Sequence, residues 1–176
     1  MENTVLTLLR TLALSVYVIA LIASSAIAAD HKTVLEMKNT AEPLTNLMTG
    51  GQPSIKDLQA LAANGTKVIV NLRTAGEFKQ YDEKKVVEDL GMKYVSIEVA
   101  GSDGINLENA QKLDNVLKDM SQPVLVHCAS SNRVGGLLAY RAFKLQGQSA
   151  EDSLKLGKAA GMRSTEKKVL SLIKAN

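Results

Sequence analysis

The chain has little with which to hold a metal or stack on a base: its 176 residues include one cysteine and two histidines, and aromatics make up 3%. Those three side chains fall short of the ligand count of a His/Cys zinc site, so neither a metal nor a cofactor is expected. With 21 Lys and Arg against 18 Asp and Glu, and no long basic run, there is no electrostatic footprint for a polyanion either. Nucleic acid is therefore not an expected partner. What is plentiful is apolar. A composition of 45% hydrophobic and 22% charged residues is globular rather than disordered, in a length that suits one domain with a real core.

The N-terminus reads as a secretory signal. Arg10 precedes an uncharged apolar stretch from Thr11 to about Ala29, and Ala26-Ile27-Ala28 forms an A-x-A cleavage signature. The expected organisation is a signal peptide over 1–28, a polar lead-in over 29–39 and a folded domain over 40–176. The mature protein is then periplasmic or secreted, with no stable membrane association. The alternative is an uncleaved N-terminal membrane anchor, since an uncharged run of about 19 residues is just long enough to span a bilayer. In an oxidising compartment the lone Cys128 has no intramolecular disulfide partner, so it is either buried and inert or kept for its reactivity.

Along the chain, helical and strand signals alternate. Thr49 to Ser54 reads as a turn ending on a helix cap, with Ser54 and Asp57 framing a helix over Ile55 to Ala63 that Asn64-Gly65 closes. Val68 to Leu72 is a short β-branched run of the kind that forms a buried parallel strand. Glu77 to Leu90 reads as a charged surface helix, and Lys93 to Val99 as a strand with Val95, Ile97 and Val99 inward. The loop Ala100 to Gly104 leads to Asn106, cap of a helix carrying Leu107, Ala110, Leu113, Val116 and Leu117. Val124 to His127 is a short buried strand. A helix from Val134 to Gly147 follows, then one opened by Ser149 with Asp152 and ending near Gly161, and one capped by Ser164 running through Ile173. This alternation predicts an α/β fold with a mainly parallel central sheet flanked by helices.

One segment carries chemistry. In Val124-Leu125-Val126-His127-Cys128-Ala129-Ser130-Ser131-Asn132-Arg133-Val134-Gly135 a cysteine stands where a buried strand ends and a helix begins, the place where open α/β sheets bind ligands. Such a loop turns successive backbone N–H groups toward one point and adds the helix dipole, so Ala129, Ser130, Ser131, Asn132 and Arg133 form a candidate cradle for a tetrahedral oxyanion. That potential favours a nucleophilic Cys128, and the planar fork of Arg133 suits two oxygens of a phosphate or sulfate. A small buried thiol beside a solvent-facing arginine is the plainer reading. The joint occurrence of strand, His-Cys, polar loop, Arg and helix argues against it. His127 starts toward the opposite face of the strand, so it supports the loop from behind or is a core histidine satisfied by a backbone carbonyl. Ser130 and Ser131 offer hydroxyls to the thiolate or the anion, or serve the turn alone.

The segment resembles the signature loop of cysteine-dependent phosphatases, whose usual form is His-Cys-x5-Arg. With its Cys-x4-Arg spacing it is similar to the beta-lactamase hydrolase-like phosphatase family, domain of unknown function 442. Gly51-Gln52-Pro53-Ser54, Val68 to Arg73 and Leu154 to Gly161 agree with that family, and the likeness covers roughly residues 40 to 173. It implies a cysteine-phosphatase-like fold and hydrolysis of phosphomonoesters, of a small molecule or a protein, through a phosphocysteine. One residue departs: related loops usually carry Gly at the place of Ser131, where the backbone conformation suits glycine best.

Hydrolysis also needs an acid for the leaving oxygen. Asp103 in the loop after the Lys93 to Val99 strand is the candidate, with Glu98 as substitute; the plain reading of Asp103-Gly104 is a turn. Arg73, at the end of another strand, either assists the anion or, as favoured here, pairs with a carboxylate. Two further functions stay open. A rhodanese-like sulfurtransferase also uses Cys-x4-Arg, although Asn71 stands where those proteins carry Asp. A catalytically inactive anion-binding or interaction module of the same fold would account for Ser131.

Overall fold

The computed structural model describes residues 34–118 and 121–175. The expected signal peptide lies outside the described residues. Eleven elements follow in chain order: β1 (Ala41–Leu44), β2 (Leu47–Gly50), α1 (Ile55–Ala63), β3 (Val68–Asn71), α2 (Glu83–Asp89), β4 (Lys93–Ser96), α3 (Leu107–Leu117), β5 (Val124–His127), α4 (Asn132–Gln146), α5 (Ala150–Ala159) and α6 (Glu166–Lys174).

The five strands form one sheet in the order β1-β2-β5-β3-β4. β5 lies between β2 and β3 and runs parallel to both, β3 is parallel to β4, and only β1 is antiparallel to its neighbour β2. The sheet is thus mainly parallel, with its hairpin at one edge. A parallel sheet needs cover on both faces, and the period-two alternation of strands sorts their side chains between the two covers. Ile69 of β3 and Leu125 of β5 pack with Leu58 and Leu61 of α1 and Val87 of α2. Val70 and Val126 point the other way, to Leu113 and Leu117 of α3, Leu137 and Leu138 of α4 and Val169 of α6. Burying one such aliphatic side chain contributes about 1.5–3 kcal/mol, so both faces are strongly specified.

Alternation also settles the last residues of β5. His127 follows Leu125 to the α1/α2 face, and Cys128 follows Val126 into the α3/α4 core cluster. The nucleophile candidate and its neighbour therefore belong to opposite sides of the sheet.

Several boundaries differ from the sequence reading. Thr49 and Gly50 are the end of β2 rather than a turn, because β5 supplies a parallel partner at Val126 and His127. The charged segment is helical only from Glu83, with Asp82 as its cap, and the residues before it form a loop across the sheet end. α4 starts at Asn132, two residues early. Thr165 rather than Ser164 precedes α6, because Ser164 Oγ accepts from Asn132 Nδ2 at 2.8 Å. The capping box of Ser54 with Asp57 is present as expected, as are the caps Asn106 and Ser149.

Candidate active site

The loop Cys128 to Arg133 carries the chain from the central strand into the fifteen-residue helix α4. Its start is anchored on β2: Cys128 N–H donates to Gly50 O at 3.3 Å, and Gly51 bridges Ser130. A Cβ on Gly51 would stand 3.0 Å from Ala129 O, so the close approach of the two loops needs a glycine there. Cys128 is 1% exposed.

Ser131 is the N-cap of α4, with φ 66° and ψ −9° in the left-handed region. The departure from glycine thus falls on a residue that the backbone does force into a glycine-favoured conformation, at about 1–2 kcal/mol. Its side chain makes no cap. Instead Ser131 Oγ donates to Ala160 O at 2.8 Å, beyond the end of α5. Gly161, at φ 94°, faces it, and a Cβ there would stand 2.7 Å from Ser131 Cβ. With the hydroxyl committed elsewhere, the first N–H groups of α4 have no side-chain cap, and together with the helix dipole they remain a site for an oxyanion.

Arg133 completes the cradle through a partner that the sequence reading did not include in the site. Nη1 and Nη2 donate to Glu77 Oε1 and Oε2 at 2.8 and 2.7 Å, a bidentate fork, and Nη1 also donates to Val99 O at 2.9 Å. Of five N–H donors these bonds use three and leave the Nε–Nη2 edge. The Glu77 hydrogen bond raises the guanidinium pKa, against burial, and Cys128 adds to the rise. Glu77 is itself held by Thr74, whose N–H and Oγ donate to Oε1 at 2.8 and 2.7 Å. The Arg133 hydrogen bond, opposed by burial and helped by Thr74, lowers the Glu77 carboxyl to about 2. It is a permanent anion at neutral pH, which orients the arginine and rules out Glu77 as a proton donor.

Arg73 pairs with a carboxylate and with the loop around it. It donates to Gln52 Oε1 at 2.9 Å and to Glu77 O, its Nε lies 3.6 Å from Glu77 Oε2, and its guanidinium stacks on Phe78. His127 lies on the face of the sheet opposite Cys128, and its partner is a carboxylate rather than a backbone carbonyl. Its Nε2 lies 2.7 Å from Glu83 Oε1, with the two side chains 0% and 5% exposed. Glu83 Oε2 accepts from Asn71 Nδ2 at 3.0 Å and Gln52 Nε2 at 3.2 Å, and Asn71 Nδ2 also donates to Tyr94 OH. Tyr81 donates to Pro53 O, and burial with the nearby Glu83 charge pushes its phenol up to about 12, so it stays protonated.

The structure does not join the acid candidates to the cradle. Asp103 is on the loop that follows Val99, but its side chain is 94% exposed and its contact is Lys168 Nζ at 3.5 Å. Glu98 is exposed and accepts from Ala75 N–H at 3.1 Å. Asn132 serves architecture: its Oδ1 accepts from Arg163 N–H and Thr165 N–H at 2.7 and 3.3 Å. Among the described residues no group of three or more His, Cys, Asp or Glu side chains could hold a metal ion.

The fold matches those of known proteins. A family model described as "DSP-PTPase phosphatase fused to NAD+ Kinase" matches residues 21–173. Among solved structures, a DUF442 protein from Shewanella putrefaciens CN-32 superposes with a TM-score of 0.63 at 20% identity, covering 80% of this chain and 93% of its own. A phosphatase-class protein of Neisseria meningitidis z2491 gives 0.64 at 20% identity, with 77% and 97% covered. TpbA of P. aeruginosa gives 0.57 at 16% identity, with 77% and 81% covered. No curated protein sequence matches the chain closely.

Proposed function

Since the chain belongs to the DSP-PTPase phosphatase family, of the DUF442 cysteine-phosphatase-like kind, we propose that it hydrolyses phosphomonoesters through a phosphocysteine. The observation that carries this reading is the triangle of Cys128, the uncapped start of α4 and an Arg133 whose outer fork is fixed by Glu77. A phosphoryl group seated on that helix end presents its phosphorus to the Cys128 sulfur. The Nε–Nη2 edge of Arg133 and the loop N–H groups take its equatorial oxygens, where charge is greatest in the transition state. The sulfur–phosphorus bond forms as the bond to the leaving oxygen breaks. Asp103, which in this structure faces solvent on the loop after Val99, is the proposed donor of a proton to that oxygen, with Glu98 as substitute, and water then attacks phosphorus and releases the thiolate and inorganic phosphate.

The proposed substrate is a phosphorylated small molecule or protein. One neighbour, a cysteine-to-serine variant of TpbA of P. aeruginosa, was crystallised in complex with pTyr, which suits the same substrate class. We also propose that residues 1–28 are removed on export and that the protein works in the periplasm or outside the cell. N-terminal sequencing of the exported protein tests this; Met1 retained in a membrane pellet would overturn it.

The enzymatic reading is tested by assaying the domain with an aryl phosphate and, separately, with thiosulfate and cyanide. Turnover of the ester alone is expected. Turnover of thiosulfate alone would make it a sulfurtransferase, and turnover of neither would leave an anion-binding module. Cys128→Ser is expected to abolish hydrolysis while phosphate and vanadate still bind, because the cradle is backbone and Arg133. Arg133→Ala should weaken both, and Arg133→Lys should not restore them, since an ammonium lacks the two-pronged geometry.

A further inference from the structure

Four arginines lie among the described residues, and three of them pair with carboxylates: Arg73 and Arg133 with Glu77, and Arg141 with Asp114. The fourth, Arg163, has no acidic partner there, is exposed, and makes one side-chain hydrogen bond, from Nη2 to Asn39 Oδ1 at 3.1 Å. That bond ties it to the cradle. Asn39 Nδ2 donates in turn to Ser130 O at 3.0 Å, and Arg163 N–H donates to Asn132 Oδ1 at 2.7 Å. Arg163 is therefore fastened to the loop at two points, through Ser130 and through Asn132, which together flank Ser131.

Asn39 is also held at φ 55°, a left-handed conformation that a non-glycine residue adopts at a cost. What that conformation achieves is the placement of one side-chain amide between two groups, with its nitrogen on the loop and its oxygen on the guanidinium. The loop at Ser130 to Asn132 thus carries beside it a positioned, exposed cation with N–H donors to spare. An arginine in that state is matched to an oxyanion that arrives with the substrate.

Resting on the phosphatase reading above, we propose that Arg163, positioned by Asn39, selects small phosphomonoesters carrying a second anionic group close to the reacting phosphate. Arg133 and the loop hold the phosphoryl group that reacts. Arg163 reads a carboxylate or a second phosphate on the leaving group, and so determines specificity without touching the reacting atoms.

The test compares 3-phosphoglycerate with glycerol 3-phosphate, which differ by a carboxylate where the other has a hydroxymethyl group. Binding of both is measured by calorimetry to the Cys128→Ser protein, so that the readout does not depend on turnover. The expected result is a preference of about tenfold for 3-phosphoglycerate, since one exposed charge-assisted fork contributes roughly that factor. The preference should shrink with added salt. Arg163→Gln should collapse the affinity ratio to about one, and Asn39→Ala should reduce it in part while leaving the cation present. A ratio near one in the parent protein, or a ratio unchanged by Arg163→Gln, would overturn the proposal. Failure of the phosphatase reading has a different signature, in that the wild-type protein would not hydrolyse an aryl phosphate whatever the binding ratio. Circular dichroism of each variant separates loss of fold from loss of preference.

Discussion

At the residue scale, the site depends on two pairs. The first is Glu77 with Arg133. Because Glu77 takes the Nη1–Nη2 end of the fork, its removal frees the guanidinium to rotate, and misplacing a positioned group by about 1 Å can cost on the order of 10²-fold in rate. Glu77→Ala is expected to lower kcat/KM for an aryl phosphate by one to two orders of magnitude and to weaken vanadate binding as well. A purely structural carboxylate would leave vanadate affinity where it was. The second pair is Ser131 with Gly161. Ser131→Gly relieves the left-handed strain but loses the bond to Ala160 O, terms of about 1 kcal/mol each and of opposite sign, so stability should move by less than about 1 kcal/mol. Gly161→Ala meets Ser131 Cβ at 2.7 Å and an unfavourable φ, and should destabilise by about 2 kcal/mol or more. The collision part of that cost should vanish in the Ser131→Gly background, which a double-mutant cycle in urea measures as coupling.

At the element scale, α4 is pressed onto α5 and the turn after it through glycines. A Cβ on Gly135 would land on the Gly157 carbonyl and the Met162 backbone, and one on Gly157 would stand 2.7 Å from Ala139 Cβ. Neither obstacle is a side-chain end that can swing away. Gly135→Ala should therefore cost about 3 kcal/mol or more, seen as a lower urea midpoint, and should impair catalysis because the same turn of α4 carries Arg133. Elements with a local signal were legible in the sequence: the Ser54/Asp57 box, the β-branched runs of β3 and β5, and the Ser149 cap. The β1–β2 hairpin was not, because Ala41-Glu42-Pro43-Leu44 has no alternation and Thr49-Gly50-Gly51 has turn composition. The strand conformation of β2 is imposed by β5, which is remote in the chain, and β1 follows as its antiparallel partner. The charged stretch from Glu77 read as solvated helix surface for a similar reason, since Arg133, which pairs with Glu77, and His127, which meets the buried Glu83, lie far along the sequence.

At the scale of the whole molecule, one electrostatic consequence is measurable. Glu77 holds its proton only below about 2 in the fold, against 4.5 ordinarily, so the unfolded chain is protonated first as the medium is acidified. Its contribution is whole above about pH 4.5 and is lost progressively toward pH 2. The urea midpoint should fall over that interval, and fall less in Glu77→Gln; equal slopes in the two proteins would contradict the Arg133 pairing. The same scale explains which part of the site was legible. Cys128, Ser131 and Arg133 are neighbours in one loop, whereas Glu77 is 56 residues from Arg133, Asn39 is 91 from Ser130 and Arg163 is 124 from Asn39. Those separations also bear on how the site comes into being. Each closes a long loop whose entropy must be overcome before any contact rewards it, so the cradle belongs to the slow, late events of folding. A nascent or refolding chain can form α1 or α3 from nearby residues, yet the cradle is incomplete until Glu77 has met Arg133 and Asn39 has met Ser130. Recovery of phosphate binding after dilution from urea should accordingly lag the return of far-ultraviolet dichroism.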